Sequence, residues 1–187
     1  NVDNSLVKRY RQLNNQHLEV KSTGATEDGI VYLEAETNQS HIRIGEAART
    51  RVWPDEKASR RLSSENGYIG QQFEIYAQTG QEIKCEKIAA IYTDRDHAVS
   101  GSLIEAVGAL RHAPGFAELL DEHIIAWDHR WHQWQICPEA GNPYMEKILN
   151  LHIFHLVATV SPNTVGLDVG VPPRGLHGEA YRGLIMW

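Results

Sequence analysis

His177, Glu179, Tyr181, Arg182 and Trp187 lie close together near the end of the sequence, within a stretch that runs from Asp168 through Pro172-Pro173 and is interrupted by glycines. Glycines and small neighbours let polar groups converge on one ligand without backbone crowding. Sugars are held this way: charged groups take hydroxyls in bidentate hydrogen bonds, and an aromatic ring covers the apolar face. The same composition also makes a turn-rich surface loop, so on composition both readings stand. Glu179 and Asp168 have room to face one pocket, where a structural or hydroxyl-binding role is expected ahead of an acid/base pair.

Other chemistries are poorly supplied. His152 and His155, or His123, His129 and His132, would put imidazoles on a helix face, yet no glutamate or cysteine has the spacing to complete a metal site. Histidines among tryptophans and leucines read as hydrogen-bonded packing residues, and no metal or organic cofactor is expected. Trp53-Pro54-Asp55-Glu56 carries two carboxylates in what reads as a solvated loop. Serine-centred nucleophile elbows and phosphate-cradling Walker loops are absent from the sequence. Cys85 and Cys137 are too far apart to make a disulfide framework or a metal knuckle, and they read as free thiols in a reducing cytoplasm.

Charge excludes a further class of partner. Lys and Arg total 18 against 24 Asp and Glu, a formal charge of -6, and the longest basic run is Arg60-Arg61. Nucleic acid is not expected. The most apolar stretch, Ile153 to Val160, is too short to cross a bilayer and contains His155, and the first residues lack the layout of a secretory signal.

The elements that must position these residues follow from periodicity. Alternating, β-branched or aromatic runs at Ile30 to Ala35, Ser40 to Ile44, Tyr68 to Ala77 and Ile83 to Tyr92 predict strands. Turns are predicted at Glu27-Asp28-Gly29, Glu65-Asn66-Gly67 and Gln78-Thr79-Gly80. The polar stretch Thr50 to Ser64 reads as a loop crossing between sheets. Beyond Asp94-Arg95-Asp96 the period becomes helical. Ser100 or Ser102 is placed to cap a first helix that Pro114-Gly115 stops. A second helix from Phe116 sets Leu120, His123, Trp127, Trp131 and Trp134 in a wide stripe made to be buried, and a third runs from about Tyr144 to Val160. Strands first and helices second indicate α+β content.

Gly175-Leu-His-Gly-Glu-Ala-Tyr-Arg-Gly183 followed by Trp187 resembles the Gly-Leu-x-Gly-Glu-x-Tyr-x-Gly-His-x-Phe-Trp-Asp motif of glycoside hydrolase family 65, the family of maltose, trehalose and kojibiose phosphorylases and acid trehalases. Three further segments match in the family's order: Glu86-Lys87 through Thr93-Asp-Arg-Asp96, His123-x-x-x-Trp127-x-x-x-Trp131, and Leu151-His-Ile-Phe-His155. The departures are Leu184 for the family's His, Met186 for its Phe and Gln135 for its Asp.

The resemblance implies an antiparallel β-sandwich over residues 1–97, a helical linker over 98–137, and the start of a truncated (α/α)6 catalytic barrel over 138–187. It implies a parent enzyme that cleaves an α-linked, trehalose-like glucose disaccharide with inversion, by water or with inorganic phosphate as co-substrate. In that enzyme Trp187 covers the glucose, and His177, Glu179, Tyr181 and Arg182 shape the loop around it. The family's general-acid glutamate belongs to a Gly-Pro-Asp-Glu type motif that would come after Trp187, so this chain alone is expected to be silent. Phe154, Leu156, Ile185 and Trp187 are expected to be bare without the rest of the barrel, a surface through which copies could associate. The competing reading keeps the same sheet and makes the chain a non-catalytic carbohydrate-binding or assembly module.

Overall fold

Turn chemistry divides the first half as the sequence predicts. Gly29, Gly67 and Gly80 all take positive φ, at 81°, 75° and 83°, a region that costs glycine nothing. The computed structural model describes residues 17–54, 58–97, 99–138 and 141–162. Among them run strands β1 (Leu18–Ala25), β2 (Ile30–Thr37), β3 (Arg43–Trp53), β4 (Ala58–Glu65), β5 (Tyr68–Ile75) and β6 (Lys84–Thr93), then helices α1 (Ser102–His112), α2 (Phe116–Trp134) and α3 (Pro143–Val157). All strand pairs are antiparallel, with one sheet ordered β1-β2-β3-β6 and β4-β5 forming a second. The order of sheets followed by helices is the expected α+β arrangement. By compactness the chain divides into residues 1–118 and 119–187, a boundary that falls inside α2.

In the first unit the period of two decides what is buried. The register pairs Tyr32 with Ala47 and Ala47 with Ala90, and their neighbours Ile30, Ile88 and Tyr92 share that face. Ala106 and Leu110 of α1 pack on it, leaving Ile30, Ala47, Ala106 and Leu110 at 1% exposure or less. Gly45 lets the helix start so close to the sheet: a Cβ there would lie 2.4 Å from the Leu103 nitrogen and the Ser102 carbonyl carbon. On the opposite face, Val31, Leu33 and Ala48 line a cleft with Tyr68 and Ile69 of β5.

Three local expectations are corrected. β3 continues through Trp53 and β4 begins at Ala58, so most of Thr50 to Ser64 is strand rather than loop. The reason lies across the ladder: Arg60 pairs with Phe73 and its guanidinium sits 5.2 Å from that ring, a contact that local polarity does not announce. β1 adds a polar strand that was not predicted, pairing with β2 despite a register shift between Val20 and Ser22. The N-cap of α1 is Gly101, with no side-chain cap bond; Ser102 is the first helical residue and is buried against Gly45. Of Trp53-Pro54-Asp55-Glu56, Trp53 ends β3 and Pro54 follows in a bend, while Asp55 and Glu56 lie outside the described residues.

Glu36 ties the β2–β3 turn to β1. Its carboxylate lies 2.9 Å from His41 Nδ1, 3.7 Å from Arg43 and 3.9 Å from Lys21. The His41 hydrogen bond, then the nearby Lys21, His41 and Arg43 charges, hold its pKa below the ordinary 4.5 against the opposing effect of desolvation. A carboxyl depressed on folding contributes stability that is fully present above its unfolded pKa and is lost as pH falls through its folded pKa. Acidification below about pH 4.5 should therefore lower the urea midpoint, and Glu36→Gln should make that fall shallower. Parallel acid limbs for the two proteins would remove Glu36 from the account.

Candidate functional site

The five residues expected to bind sugar, His177, Glu179, Tyr181, Arg182 and Trp187, lie outside the described residues, as do Asp168 and Ile185. What the structure does define is the framework of the first unit and an aromatic surface in the second.

Two buried charges hold the segment of the first unit that runs from the end of α1 to Phe116. Arg49, at 9% exposure on β3, donates from Nη1 to the Leu110 carbonyl and from Nη2 to the Ala113 and Pro114 carbonyls, both at 3.0 Å. These are the groups that a helix C-terminus leaves without intrahelical partners, and a cation suits that end of the dipole. Glu86, at 8% exposure on β6, accepts from the Phe116 amide at 2.8 Å, the complementary arrangement at the first residue of α2. Sequence reading missed Arg49. Its place two residues after Ala47, on the strand face that carries Gly45 and Ala47, was the available signal. The family-like segment from Glu86 to Asp96 thus serves architecture: its last residue accepts from the Thr93 amide at 2.7 Å and closes the turn after β6.

In the second unit α2 presents the predicted stripe and α3 meets it. Trp127 lies 5.0 Å from the Phe154 ring, 5.9 Å from Trp131 and 6.2 Å from His123, while Phe154 stacks edge-on to His155 at 5.5 Å. The third helix is fixed locally. Asn142 caps it by accepting from the Tyr144 and Met145 amides, Pro143 occupies its first turn, and Asn150 bonds both the amide and the carbonyl of Ile136. Its end, Val157, falls short of the expected Val160.

His123, Ile124, Trp127, Asp128, Trp131 and Phe154 line an open groove of about 370 Å³. No residue of α2 or α3 is buried, and Phe154 and Leu156 are about two-fifths exposed, as expected of a face without its cover. Among the described residues the groove offers ring faces and a single carboxylate, Asp128, which leans toward His132 of its own helix at 3.7 Å. Hydrolysis of a glycoside by paired carboxylates needs two. The groove is suited to packing or binding. Among the described residues no group of three His, Cys, Asp or Glu is placed to hold a metal, and no helix is long and apolar enough to cross a membrane. Cys85 and Cys137 are free and exposed.

Comparison with known proteins agrees with this framework. An uncharacterized glycosyl hydrolase of Mycobacterium tuberculosis is 39% identical over the whole chain, which covers 14% of that protein. A kojibiose phosphorylase of Caldanaerobacter subterraneus subsp. tengcongensis is 28% identical over 92% of the chain and 23% of its own length. A trehalose 6-phosphate phosphorylase of Lactococcus lactis subsp. lactis is 28% identical over 100% and 23%. The chain thus spans less than a quarter of the length of these relatives. Residues 1–130 match the glycosyl hydrolase family 65 N-terminal domain, so the chain belongs to glycosyl hydrolase family 65.

Proposed function

We propose that this chain is the N-terminal portion of a family 65 enzyme that cleaves an α-linked glucose disaccharide of the trehalose or kojibiose kind with inversion, and that by itself it is catalytically silent. The observation that carries this reading is the family N-terminal domain over residues 1–130, in relatives named as disaccharide phosphorylases whose length this chain covers only in part. The bare aromatic face of α2 and α3 supports it. In this reading Trp127, Trp131, Phe154 and Leu156 are covered by the remainder of an (α/α)6 barrel that begins near residue 138.

In the full protein Trp187 covers the non-reducing glucose, and His177, Glu179, Tyr181 and Arg182 bind hydroxyls around it. A downstream carboxylic acid protonates the departing glycosidic oxygen. Either a phosphate oxygen or a water activated by a second carboxylate attacks the anomeric carbon from the opposite face, and the bond to the leaving sugar breaks. Free, exposed Cys85 and Cys137 support a reducing, cytoplasmic setting for the enzyme.

The test is an assay of the full parent protein beside the 187-residue chain on trehalose, kojibiose and maltose, with and without phosphate, following the product anomer by NMR. The parent should release the β-configured product from at least one of them, and the chain should show no turnover above background. A parent inert on every α-glucobiose would overturn the enzyme reading in favour of a carbohydrate-binding or assembly module. Turnover by the chain alone would overturn its silence.

A further inference from the structure

We propose that the first unit carries an arginine-lined site for a phosphoryl group, separate from the groove on α2 and α3. Arg49, Arg51, Arg60 and Arg111 all border one concavity of about 310 Å³, where Asp28 is the only carboxylate among the described lining residues. They arrive from distant parts of the sequence: Asp28 from the β1–β2 turn, Arg49 and Arg51 from β3, Arg60 from β4 and Arg111 from the last turn of α1. In a chain of formal charge -6, a mouth built of four arginines and one aspartate is a local reversal of sign.

Arg49, Arg60 and Arg111 are held in place before any ligand arrives. Arg60 lies over the Phe73 ring at 5.2 Å, and its Nη1 approaches the turn so closely that a Cβ on Gly29 would lie 2.7 Å away. Arg111 Nε is fixed 3.2 Å from Asp28 Oδ2, which neutralises one positive charge. Among the described residues neither Arg51 nor Arg60 has a carboxylate within 4.0 Å. The C-terminal carbonyls of α1 would repel an anion here, but Arg49 already binds them. Arg49 Nε is itself buried without a hydrogen-bond partner among the described residues, so the guanidinium keeps a donor uncommitted beside the concavity.

Guanidinium forks match tetrahedral phosphoryl oxygens in geometry and charge, and the size of the concavity leaves room for a small body attached to the phosphorus. The ligand chemistry is therefore inorganic phosphate or a phosphate monoester. The site rests on the first unit alone and stands whether or not the proposed enzyme activity does.

Isothermal titration of the chain with inorganic phosphate, and separately with glucose 6-phosphate, tests it against sodium chloride at matched ionic strength. Saturable binding is expected, weakened by about tenfold or more in Arg51→Ala/Arg60→Ala and less in Arg51→Lys/Arg60→Lys. Both variants change exposed positions, and circular dichroism checks that each remains folded. Tighter binding of glucose 6-phosphate would identify a monoester site, and equal binding a site for free phosphate. No saturable heat with either anion, or heat unchanged in the folded alanine variant, would overturn the proposal.

Discussion

Gly45→Ala should destabilise the first unit by about 2 kcal/mol or more, lowering its melting temperature by roughly 10 °C. The sign runs against the usual rule, because glycine in a strand is conformationally costly and alanine at a compatible position gains about 0.4–1 kcal/mol through the unfolded chain. Sterics decide otherwise here. The new methyl would lie 2.4–2.5 Å from the Leu103 nitrogen and the Ser102 carbonyl carbon and oxygen, all backbone atoms with no rotamer to yield. Helix α1 would have to lift from the sheet, and Ala106 and Leu110, the fully buried residues of its packed face, would lift with it. Gly108→Ala, in the same helix, is the matched control: its Cβ would meet nothing within 4 Å, and it should stabilise by about 0.5–1 kcal/mol. Opposite shifts in thermal melts followed by far-UV circular dichroism would bear this out. If Gly45→Ala melts with the parent chain, α1 does not rest on β3 at Gly45.

The parts legible in the sequence were those whose cause is local. Gly29, Gly67 and Gly80 mark turns because few other residues tolerate their φ values, and α2 begins at Phe116 because Pro114-Gly115 cannot continue α1. β4 was not legible. Its Arg60-Arg61-Leu62-Ser63 core reads as solvent-facing, and it becomes a strand only through the ladder that sets Arg60 on Phe73 and Arg61 on Gln72. The start of α1 was misplaced for a similar reason: what fixes Ser102 is the backbone of Gly45, more than fifty residues earlier, and no local cap signal reports it. The aromatic stripe was readable as a stripe from spacing, but that Trp127 would meet Phe154 depended on the turn between two helices.

The same distinction bears on function. Of the segments that carry the family resemblance, those described here do structural work: Glu86 caps α2, Asp96 closes a turn, and Trp127, Trp131, Phe154 and His155 form a ring cluster. The residues expected to touch sugar all come after the last described residue, Pro162. Residues whose contacts are of this structural kind should register their substitutions first as changes in stability.

Arg49→Met makes that expectation quantitative, with a predicted loss of about 3 kcal/mol in the first unit, read as a lower urea midpoint. Exchanging a buried charge for a hydrophobe of similar length is often neutral when an ion pair is removed whole. Arg49 differs because its partners are the neutral carbonyls of Leu110, Ala113 and Pro114, which stay behind after the exchange. Each is a helix-end acceptor facing a sheet, and an acceptor left dry costs about 1–3 kcal/mol. Arg49→Lys keeps the charge at the negative end of α1 but replaces a planar fork reaching three carbonyls with one compact ammonium, so it should fall between the parent and Arg49→Met. Hydrogen exchange adds a positional readout. In Arg49→Met the amides of the last turn of α1 should lose protection ahead of those in β2 and β3, because the cap fails before the sheet does. A methionine variant as stable as the parent would mean that solvent already reaches these carbonyls, and the segment from the end of α1 to Phe116 would then depend on Glu86 and the packing of Leu110.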